Sequence, residues 1–364
     1  MFDPAVPPTS FELEITTRCN ASCPQCSRNY YGGLTWPTLP IVDLSLSWLK
    51  EKFSKEFLGS LNMVRLVGTY GDPCMHKDLI PIVHWLHENT QAQIIISTNG
   101  SLRNRSWWRE LGLTLRPQDC VMFCIDGLSD TNHLYRKDTN FEKIIKNLKE
   151  FNQAGGRSVW SFIVFDHNQH QIDQAKEFSK QLGCSGFGLK TTSRFIDKQH
   201  KFVDQSPVRD RQHKIVYWIK PPSDLKYINL SLESYRDNVS QYGSYNEYLK
   251  QTPICCDSQL KSKFYVSAEG LVFPCGWLSD RLYGYEAENH PDRQRMLDLI
   301  DHCGGMESIN LNYNSLENIL YGEFFQAISK SWSNQQRLER CAVICGKNSH
   351  TLTSYKELNE ILKP

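Results

Sequence analysis

Three cysteines near the start of the chain have a spacing that could support metal chemistry. Cys19, Cys23 and Cys26 form the pattern C-x3-C-x2-C directly after a stretch that predicts a strand. Three thiolates in one short loop can cap three of the four irons of a cubane cluster, which leaves the fourth iron open. The alternatives are a zinc site completed by a distant ligand, or unliganded thiols, but zinc sites more often use C-x2-C pairs. The spacing favours an iron–sulfur cluster.

A second group of cysteines lies in the last third of the chain. Its members are Cys256, Cys275, Cys341 and Cys345. A hairpin turning at Gly270 would place Cys256 and Cys275 on its two sides, and the two late cysteines would complete four thiolates. Neighbouring residues of an extended segment point to opposite sides, so we expect Cys256 rather than Cys255 to ligate. The alternatives are a structural zinc site with the same ligands, and a set in which Cys303 replaces one member.

The composition excludes some classes of partner and compartment. Among 364 residues there are 41 basic and 40 acidic side chains, so no global field recruits nucleic acid or an anionic membrane. The first ten residues lack a signal-peptide pattern, and the longest apolar runs, such as Leu79–Leu86, are too short to span a membrane. We therefore expect a cytoplasmic protein. Thirteen cysteines in a reducing compartment indicate metal or redox chemistry rather than disulfides.

Strand and helix patterns alternate from residue 11 to residue 190. The first of these predicted strands leads directly into the first cysteine group. The predicted strands are Phe11–Thr17, Asn62–Gly68, Gln93–Ser97, Cys120–Ile125, Ser158–Phe165 and a sixth within the last unit, Ile172–Lys190. The predicted helices are Ser45–Phe57, Leu79–Glu88, Ser106–Leu111, Phe141–Ala154 and one that starts near Ile172. This alternation predicts an α/β fold with a parallel sheet, either doubly wound or a partial barrel. Sites in such sheets lie at the carboxyl ends of the strands.

The alternation ends after residue 190, and the rest of the chain divides in two. Residues 191–252 are rich in aromatic and mixed charged side chains, which predicts a bridging segment with short helices. The predicted later elements are a hairpin with strands Lys263–Ser267 and Leu271–Phe273, and helices near Leu316–Trp332 and Thr353–Leu362. The expected domains are therefore 1–190, 191–252 and 253–364.

The first half of the chain resembles the radical S-adenosylmethionine (radical SAM) enzymes. Their signature is C-x3-C-x2-C after the first strand of a partial (β/α)6, TIM-like barrel. Tyr70-Gly71-Asp72-Pro73 is similar to the Gly-Gly-Glu-Pro loop that receives the methionine amino group of SAM, with Asp72 in place of Glu. Polar residues that end later strands resemble the family's ribose and carboxylate contacts. The residues to which the resemblance assigns SAM binding are Gly71, Asp72, Ser97, Asn99, Asp126 and Arg136.

One position departs from the family pattern. The residue before the third cysteine is usually aromatic and packs on adenine, whereas this chain has Gln25. Adenine stacking is then expected from another side chain, Tyr30 or Tyr31. Lys190 and Arg194 follow the sixth strand and either meet a substrate carboxylate or phosphate or face solvent. The cysteines expected to be core residues are Cys74, Cys120, Cys124 and Cys184.

The second cysteine group resembles the SPASM and Twitch extensions of radical SAM enzymes. In these a Cys, then Gly-x4-Cys, then a distant Cys pair hold an auxiliary [4Fe-4S] cluster, and Gly270-x4-Cys275 matches that pattern. A full SPASM module binds two clusters through a longer cysteine series. The resemblance therefore implies a smaller α+β domain with one auxiliary cluster, the Twitch arrangement.

The resemblance implies a radical SAM oxidoreductase. A reduced [4Fe-4S] cluster would cleave SAM to a 5'-deoxyadenosyl radical, which abstracts hydrogen from the substrate, with an external reductant such as flavodoxin or ferredoxin. The expected reaction oxidises or crosslinks a peptide or protein side chain with the auxiliary cluster. The alternative is dehydrogenation of a small molecule in a biosynthetic pathway. A nonenzymatic iron–sulfur or zinc protein is the alternative from another class, and the SAM motifs argue against it.

Overall fold

The structure is a computed structural model that describes residues 1–195, 197, 202–283, 291–333, 337–349 and 361–363. Its strands are β1 Ser10–Leu13, β2 Met63–Leu66, β3 Gln93–Thr98, β4 Cys120–Cys124, β5 Ser158–Val164, β6 Gly186–Thr191, β7 Ser206–Arg209, β8 Ile215–Ile219, β9 Lys263–Val266 and β10 Val272–Phe273. Eight of them form one sheet in the order β10-β9-β1-β2-β3-β4-β5-β6. The other two, β7 and β8, form a separate antiparallel hairpin.

Helices connect and cover these strands. They are α1 Leu46–Lys52, α2 Lys55–Gly59, α3 Leu79–Asn89, α4 Arg105–Thr114, α5 Asn132–Tyr135, α6 Phe141–Gln153, α7 Ile172–Gln181, α8 Leu230–Tyr242, α9 Tyr245–Gln251, α10 Asp257–Leu260, α11 Gly276–Ser279, α12 Pro291–His302, α13 Leu316–Leu320, α14 Glu323–Ser331 and α15 Glu339–Cys345. No helix among the described residues is both long enough and apolar enough to cross a membrane.

The strands β1 to β6 run parallel, each hydrogen-bonded to the next along the chain. Successive side chains of a strand point to opposite faces of the sheet. In β3, Ile94 and Ile96 pack into the main core, whereas Ile95 belongs to a second core cluster with Met122 of β4. Both faces of β3 are therefore buried, as in parallel sheets covered by helices. The fold is the predicted α/β class with a partial, TIM-like barrel.

The sheet continues beyond these six strands into the C-terminal part of the chain. β9 pairs parallel with β1, and β10 pairs antiparallel with β9, so the predicted hairpin is confirmed. Its turn holds Gly270 at φ +82°, and a Cβ there would lie 2.9 Å from the Trp48 ring. The region with the second cysteine group is thus built on β1, the strand that precedes the first group.

The hairpin of β7 and β8 covers the first cysteine loop and was not predicted. Val208 and Ile219 are fully buried against Phe165 and Phe195, in a core cluster that also contains Cys23. The residues between β6 and α9 were predicted to hold short helices, but the structure has this hairpin and the 13-residue helix α8.

Several helix bounds differ from those predicted. The stretch Ser45–Phe57 forms two helices, because Phe53 is extended and the Ser54 side chain caps α2 by accepting from the Phe57 N–H. The stretch Leu316–Trp332 also divides in two, with Gly322 at the N-cap of α14. α12 was not predicted. The predicted helix Thr353–Leu362 lies mostly in 350–360, outside the described residues.

Candidate functional site

A single cavity of about 420 Å³ lies at the carboxyl ends of the barrel strands and reaches the C-terminal region. Its lining includes both cysteine groups. The predicted site residues that line it are Cys19, Cys23, Cys26, Gly71, Asp72, Ser97, Asn99, Arg136, Cys256, Cys275, Cys341 and Cys345. Asp126 is the one predicted site residue outside this lining, and it lies behind Arg136. Two cysteine groups more than 200 residues apart therefore share one chamber.

The first cysteine loop is compact and mostly buried. The Cys26 N–H donates to the Cys23 carbonyl at 3.0 Å, which closes a turn between the second and third cysteines. Burial raises the pKa of the Cys23 thiol to about 12, and burial also raises the pKa of Cys19 and Cys26. Such thiols keep their protons at neutral pH unless a metal takes the place of the proton. This donor set suits metal ligation.

The arrangement of thiols distinguishes a cluster from a single ion. Among the described residues, no three or more His, Cys, Asp or Glu side chains are grouped to hold one metal ion. A tetrahedral zinc with Zn–S bonds of about 2.3 Å would need its sulfurs within about 4 Å of one another. A cubane cluster binds each thiolate at a different iron and accommodates a wider spread. The chemistry of these thiols therefore suits an iron–sulfur cluster.

Arg136 connects the first cysteine loop to the end of β4. Its Nε donates to Asp126 Oδ2 at 2.6 Å, and its Nη1 lies 3.7 Å from Cys23 Sγ. Asp126 Oδ1 accepts from the Ile163 N–H at 2.6 Å, and the carboxylate is fully buried. Burial raises the pKa of Asp126, and Arg136 opposes that rise. Asp126 therefore orients Arg136, a cation on the cavity wall.

The loop after β2 approaches the end of β1 so closely that only glycine fits. A Cβ on Gly71 would lie 1.8 Å from the Thr16 carbonyl oxygen. The buried Arg28 side chain ties the same two segments together, because it donates to the carbonyls of Thr17 and Tyr70. Gly71 is therefore required for the close packing of the loop after β2 on the segment that follows β1.

Asp72 is buried and already accepts several hydrogen bonds. Oδ1 accepts from the Cys74 N–H at 2.9 Å, and both carboxylate oxygens accept from Thr98 Oγ1. Oδ2 also accepts from the N–H and the side-chain amide of Asn99, at 2.8 and 2.7 Å. Burial raises the pKa of this carboxyl. Asp72 therefore joins the loops after β2 and β3, and an amino group bound there would displace one of these donors.

Asn99 links the loop after β3 to the first cysteine loop. Its amide donates to Asn20 Oδ1 at 2.9 Å, and the Asn20 amide donates to Ser101 Oγ at 2.8 Å. Ser97 precedes this loop and is half-buried on the cavity wall. The residues predicted from the ends of β2, β3 and β4 thus converge on one side of the cavity, with Asn20 as an unpredicted link.

Glu14 is a functional candidate that the sequence prediction missed. It is fully buried, and Oε1 accepts from the N–H groups of Tyr70 and Gly71 at 2.6 and 2.8 Å. Oε2 accepts from the Tyr265 hydroxyl at 2.5 Å. Burial raises the pKa of Glu14 to about 7, although each of these hydrogen bonds lowers it. Glu14 directly follows β1, and no local pattern in the sequence indicated the distant partners that a buried acid needs.

The second cysteine group is carried by three short helices. Cys256 and Cys275 are the N-caps of α10 and α11, and Cys341 and Cys345 lie one turn apart on α15. Because the Cys345 thiol donates to Cys256, the pKa of Cys256 falls to about 7. Burial raises the pKa of Cys341, and it raises that of Cys275 to about 12.

The alternative ligands lie elsewhere. Cys255 is exposed, and its backbone N–H donates to the Cys345 carbonyl at 2.8 Å. Cys303 is buried next to α12 and does not line the cavity. Of the cysteines expected in the core, Cys74 and Cys120 are fully buried, Cys184 is half-buried, and Cys124 is half-buried and lines the cavity.

Cationic and aromatic side chains lie between the two cysteine groups. The Arg194 and Arg340 guanidinium groups lie 6.0 and 4.9 Å from the Trp277 ring, and Arg340 pairs with Asp280 at 3.0 Å. Lys190 also lines the cavity. Iron–sulfur clusters with cysteine ligands carry net negative charge, which such cations would stabilise. The wall between the groups therefore fits anionic centres.

Gln25, at the position that departs from the family pattern, fixes the loop after β6. Its side chain accepts from Thr192 Oγ1 at 3.2 Å and donates to the Arg194 carbonyl at 3.3 Å. Tyr30 and Tyr31 pack edge to face against each other, and neither lines the cavity. The structure thus assigns Gln25 a role in positioning residues 192–194.

Comparison with known proteins identifies one family domain. Residues 13–178 match the family model described as the radical SAM superfamily. The chain is 25% identical over 187 residues to a probable GTP 3',8-cyclase of Saccharolobus islandicus, which is 50% of this chain and 56% of the relative. It is 27% identical over 169 residues to GTP 3',8-cyclase of Pasteurella multocida, which is 44% of this chain and 47% of the relative. The chain spans about half the length of these curated relatives.

Solved structures share the fold at low sequence identity. anSMEcpe with bound AdoMet has a TM-score of 0.56 and 14% identity, over 98% of this chain and 96% of that chain. SuiB of Streptococcus suis bound to its precursor peptide SuiA has a TM-score of 0.53 and 15% identity, over 92% of this chain and 70% of that chain. The architecture therefore matches these structures beyond the family domain itself.

Proposed function

The chain belongs to the radical SAM superfamily through the domain at residues 13–178, and we propose that it is an oxidoreductase with two iron–sulfur centres. The observation that carries this proposal is the single cavity lined by both cysteine groups. In this proposal Cys19, Cys23 and Cys26 hold the SAM-binding [4Fe-4S] cluster. The other four ligands, Cys256, Cys275, Cys341 and Cys345, hold an auxiliary [4Fe-4S] cluster.

The chemistry of the first centre would come from the cofactors themselves. With SAM bound and an electron from an external reductant such as flavodoxin or ferredoxin, the cluster supplies a 5'-deoxyadenosyl radical that abstracts hydrogen from carbon. The chain's own residues bind and orient SAM at the strand ends. Gly71 lets the loop after β2 pack on the segment after β1, Asp72 and Asn99 fix the loops, and Arg136 offers a cation for the SAM carboxylate.

The surrounding elements would keep water and oxygen out of the chamber. The hairpin of β7 and β8 covers the first cysteine loop through Val208 and Ile219. α11 contributes Trp277 and Leu278 to the cavity wall. A dry chamber protects a reactive intermediate from side reactions. These elements support the proposal because a solvent-open cluster would serve radical chemistry poorly.

The second centre is proposed to act in electron transfer. Four thiolates leave no iron position for a substrate, so the centre suits acceptance of an electron rather than Lewis-acid binding. Loss of a hydrogen atom, an electron and a proton from the substrate is a net two-electron oxidation. Dehydrogenation and bond formation between two side chains both satisfy this balance.

The substrate is proposed to be a peptide or protein side chain. SuiB, which shares the fold, was solved with a precursor peptide bound, and the fold match extends over most of this chain. The second candidate is a small molecule that is dehydrogenated in a biosynthetic pathway, since GTP 3',8-cyclases are the curated relatives of the domain. Lys190 and Arg194 on the cavity wall could bind a carboxylate or phosphate of either substrate.

The test is anaerobic reconstitution of the full chain, followed by iron analysis and SAM cleavage. We expect roughly eight irons per chain, and roughly four when Cys341 and Cys345 are replaced by Ala. Replacement of Cys19, Cys23 and Cys26 by Ala should abolish 5'-deoxyadenosine formation. Reductive SAM cleavage by that triple variant would overturn the first assignment. Four irons plus one zinc in the intact chain would overturn the second.

A further inference from the structure

The loop Thr69–Asp72, proposed above to receive SAM, is held in place by the C-terminal region. The Tyr70 hydroxyl donates to the Ser279 carbonyl at 2.9 Å, and both residues are buried. Ser279 is the last residue of α11, the helix that follows Cys275. A Cβ on Gly276, the first residue of α11, would lie 3.2 Å from Thr69 Oγ1. The helix therefore packs directly on this loop.

A second contact reaches the same loop through Glu14, the residue directly after β1. Glu14 accepts from the N–H groups of Tyr70 and Gly71 with one oxygen and from the Tyr265 hydroxyl with the other. Tyr265 lies on β9, between Cys256 and Cys275 along the chain. Glu14 and Tyr265 are both fully buried, so water does not compete for these hydrogen bonds. The loop is thus bonded to the C-terminal hairpin as well as to α11.

A third contact joins α11 to the first cysteine loop. Asp280, directly after α11, accepts from Arg340 at 3.0 Å and from the side chain of Ser27. Ser27 follows Cys26, and Arg340 precedes Cys341. Segment Cys275–Asp280 therefore touches the SAM loop in its middle and the first cysteine loop at its end. The first residue of this segment, Cys275, is a proposed ligand of the second centre.

We propose that segment Cys275–Asp280 is a positioning element of the SAM site, so that loading of the second cysteine centre tightens SAM binding. This inference rests on the proposed function. α11 has only four residues, and a single helical turn is not stable without support at its ends. Ligation fixes the Cys275 end, while Asp280 fixes the other. Without ligation the segment loosens, and the Tyr70 hydroxyl loses its fixed acceptor.

The coupling must work in both directions. If the second centre tightens SAM binding by some factor, SAM stabilises the second centre by the same factor. Couplings of this kind lie between about 5- and 150-fold in most proteins. Because only one turn of helix and three contacts transmit the effect, we expect the lower end of that range, about 5- to 10-fold.

The experiment measures the dissociation constant of SAM by anaerobic equilibrium dialysis with the reconstituted full chain. Tyr70→Phe and Tyr265→Phe remove one hydroxyl each and leave the packing of the rings in place. We expect SAM to bind about 5-fold more weakly in both variants with unchanged iron content, and the melting temperature to fall only by what one lost buried hydrogen bond costs. Tyr313→Phe is the matched control, because Tyr313 is exposed and does not line the cavity.

The double variant Cys341→Ala/Cys345→Ala tests the coupling itself. It should lose four irons and bind SAM about 5- to 10-fold more weakly, and adding Tyr70→Phe should weaken binding little further. Cys255→Ala is the control for this arm. SAM affinity that is unchanged in both tyrosine variants would overturn the positioning role. Four irons in the intact chain would overturn the second centre, and with it the coupling, while the tyrosine variants would still decide the positioning role.

Discussion

At the scale of single residues, Asp72 differs from a simple ligand because protein donors fill its acceptor positions. Asp72→Ala removes the link between the loops after β2 and β3, so we expect SAM to bind at least about 10-fold more weakly. Iron content should be unchanged, since no thiol is lost. The measurement is SAM equilibrium dialysis beside iron analysis. Asp301→Ala, on the exposed face of α12, serves as the control. An unchanged dissociation constant would remove Asp72 from the SAM site.

Glu14 predicts a pH dependence of stability. Its pKa is about 7 in the folded chain and near 4.5 when unfolded, so folding favours the protonated acid between these values. The stabilisation is complete below pH 4.5 and is lost as the pH rises through 7, on the order of 3 kcal/mol in total. Glu14→Gln should therefore flatten the decline in melting temperature from pH 5.5 to 7.5. A decline of the same slope in both proteins would show that Glu14 does not titrate there.

At the scale of elements, the hairpin of β7 and β8 has a buried and an exposed face. Ile219→Ala opens a cavity against Phe165 and Phe195 and should cost about 2–4 kcal/mol of local stability. We expect the iron–sulfur absorbance of the reconstituted chain to decay faster in air. Val216→Ala is the matched control, because Val216 lies on the same strand and is 49% exposed. Equal decay in the two variants would mean that the hairpin does not shield the first loop.

The segment before α10 contains two adjacent cysteines with opposite surroundings. Cys256 lines the cavity and accepts a hydrogen bond from the Cys345 thiol, whereas Cys255 is exposed. Cys256→Ala should reduce iron by about four per chain, and Cys255→Ala should leave it unchanged. The comparison uses the same chemical change at neighbouring positions, so a general effect on folding is controlled. The opposite result would assign the ligand to Cys255.

Local patterns predicted the six barrel strands, because each has its own period and its own turn signals. They did not predict β7 and β8, since β8 carries the exposed residues Ile215, Val216 and Trp218 in a charge-mixed segment that resembles a linker. The pairing of β9 with β1 depends on contacts roughly 250 residues apart, which no local pattern encodes. Glu14 was missed for the same reason. Its partners come from β9 and the loop after β2.

The cysteines illustrate a similar limit at the candidate site. The spacing of the cysteines predicted two groups of metal ligands. The motif residues at the strand ends predicted the residues that line one side of the cavity. That both groups open into the same cavity followed only from the placement of α11 and α15. Side chains such as Asn20 and Gln25, which join one loop to another, have no spacing signal because their partners are set by the tertiary fold.

At the scale of the whole molecule, β1 has one neighbour that follows soon after it in the sequence and one that lies roughly 250 residues later. β2, which begins at Met63, pairs with one edge of β1. β9, which begins only at Lys263, pairs with the other edge. The strand that leads into the first cysteine loop is therefore completed on its second side by a late part of the sequence. The barrel and the C-terminal region share that strand, so each contributes to the structure of the other.

This shared strand has a consequence for biosynthesis. While the ribosome makes the intervening chain, one edge of β1 has no partner, and at about 5–20 residues per second this lasts on the order of 10–50 s. An open edge invites pairing with other nascent chains or capture by chaperones. Ribosome-bound chains stalled at residue 195 should be digested readily by protease, and chains stalled with residues 263–283 outside the exit tunnel should become resistant. Equal resistance of both would show that the early strands mature before their last neighbour is translated.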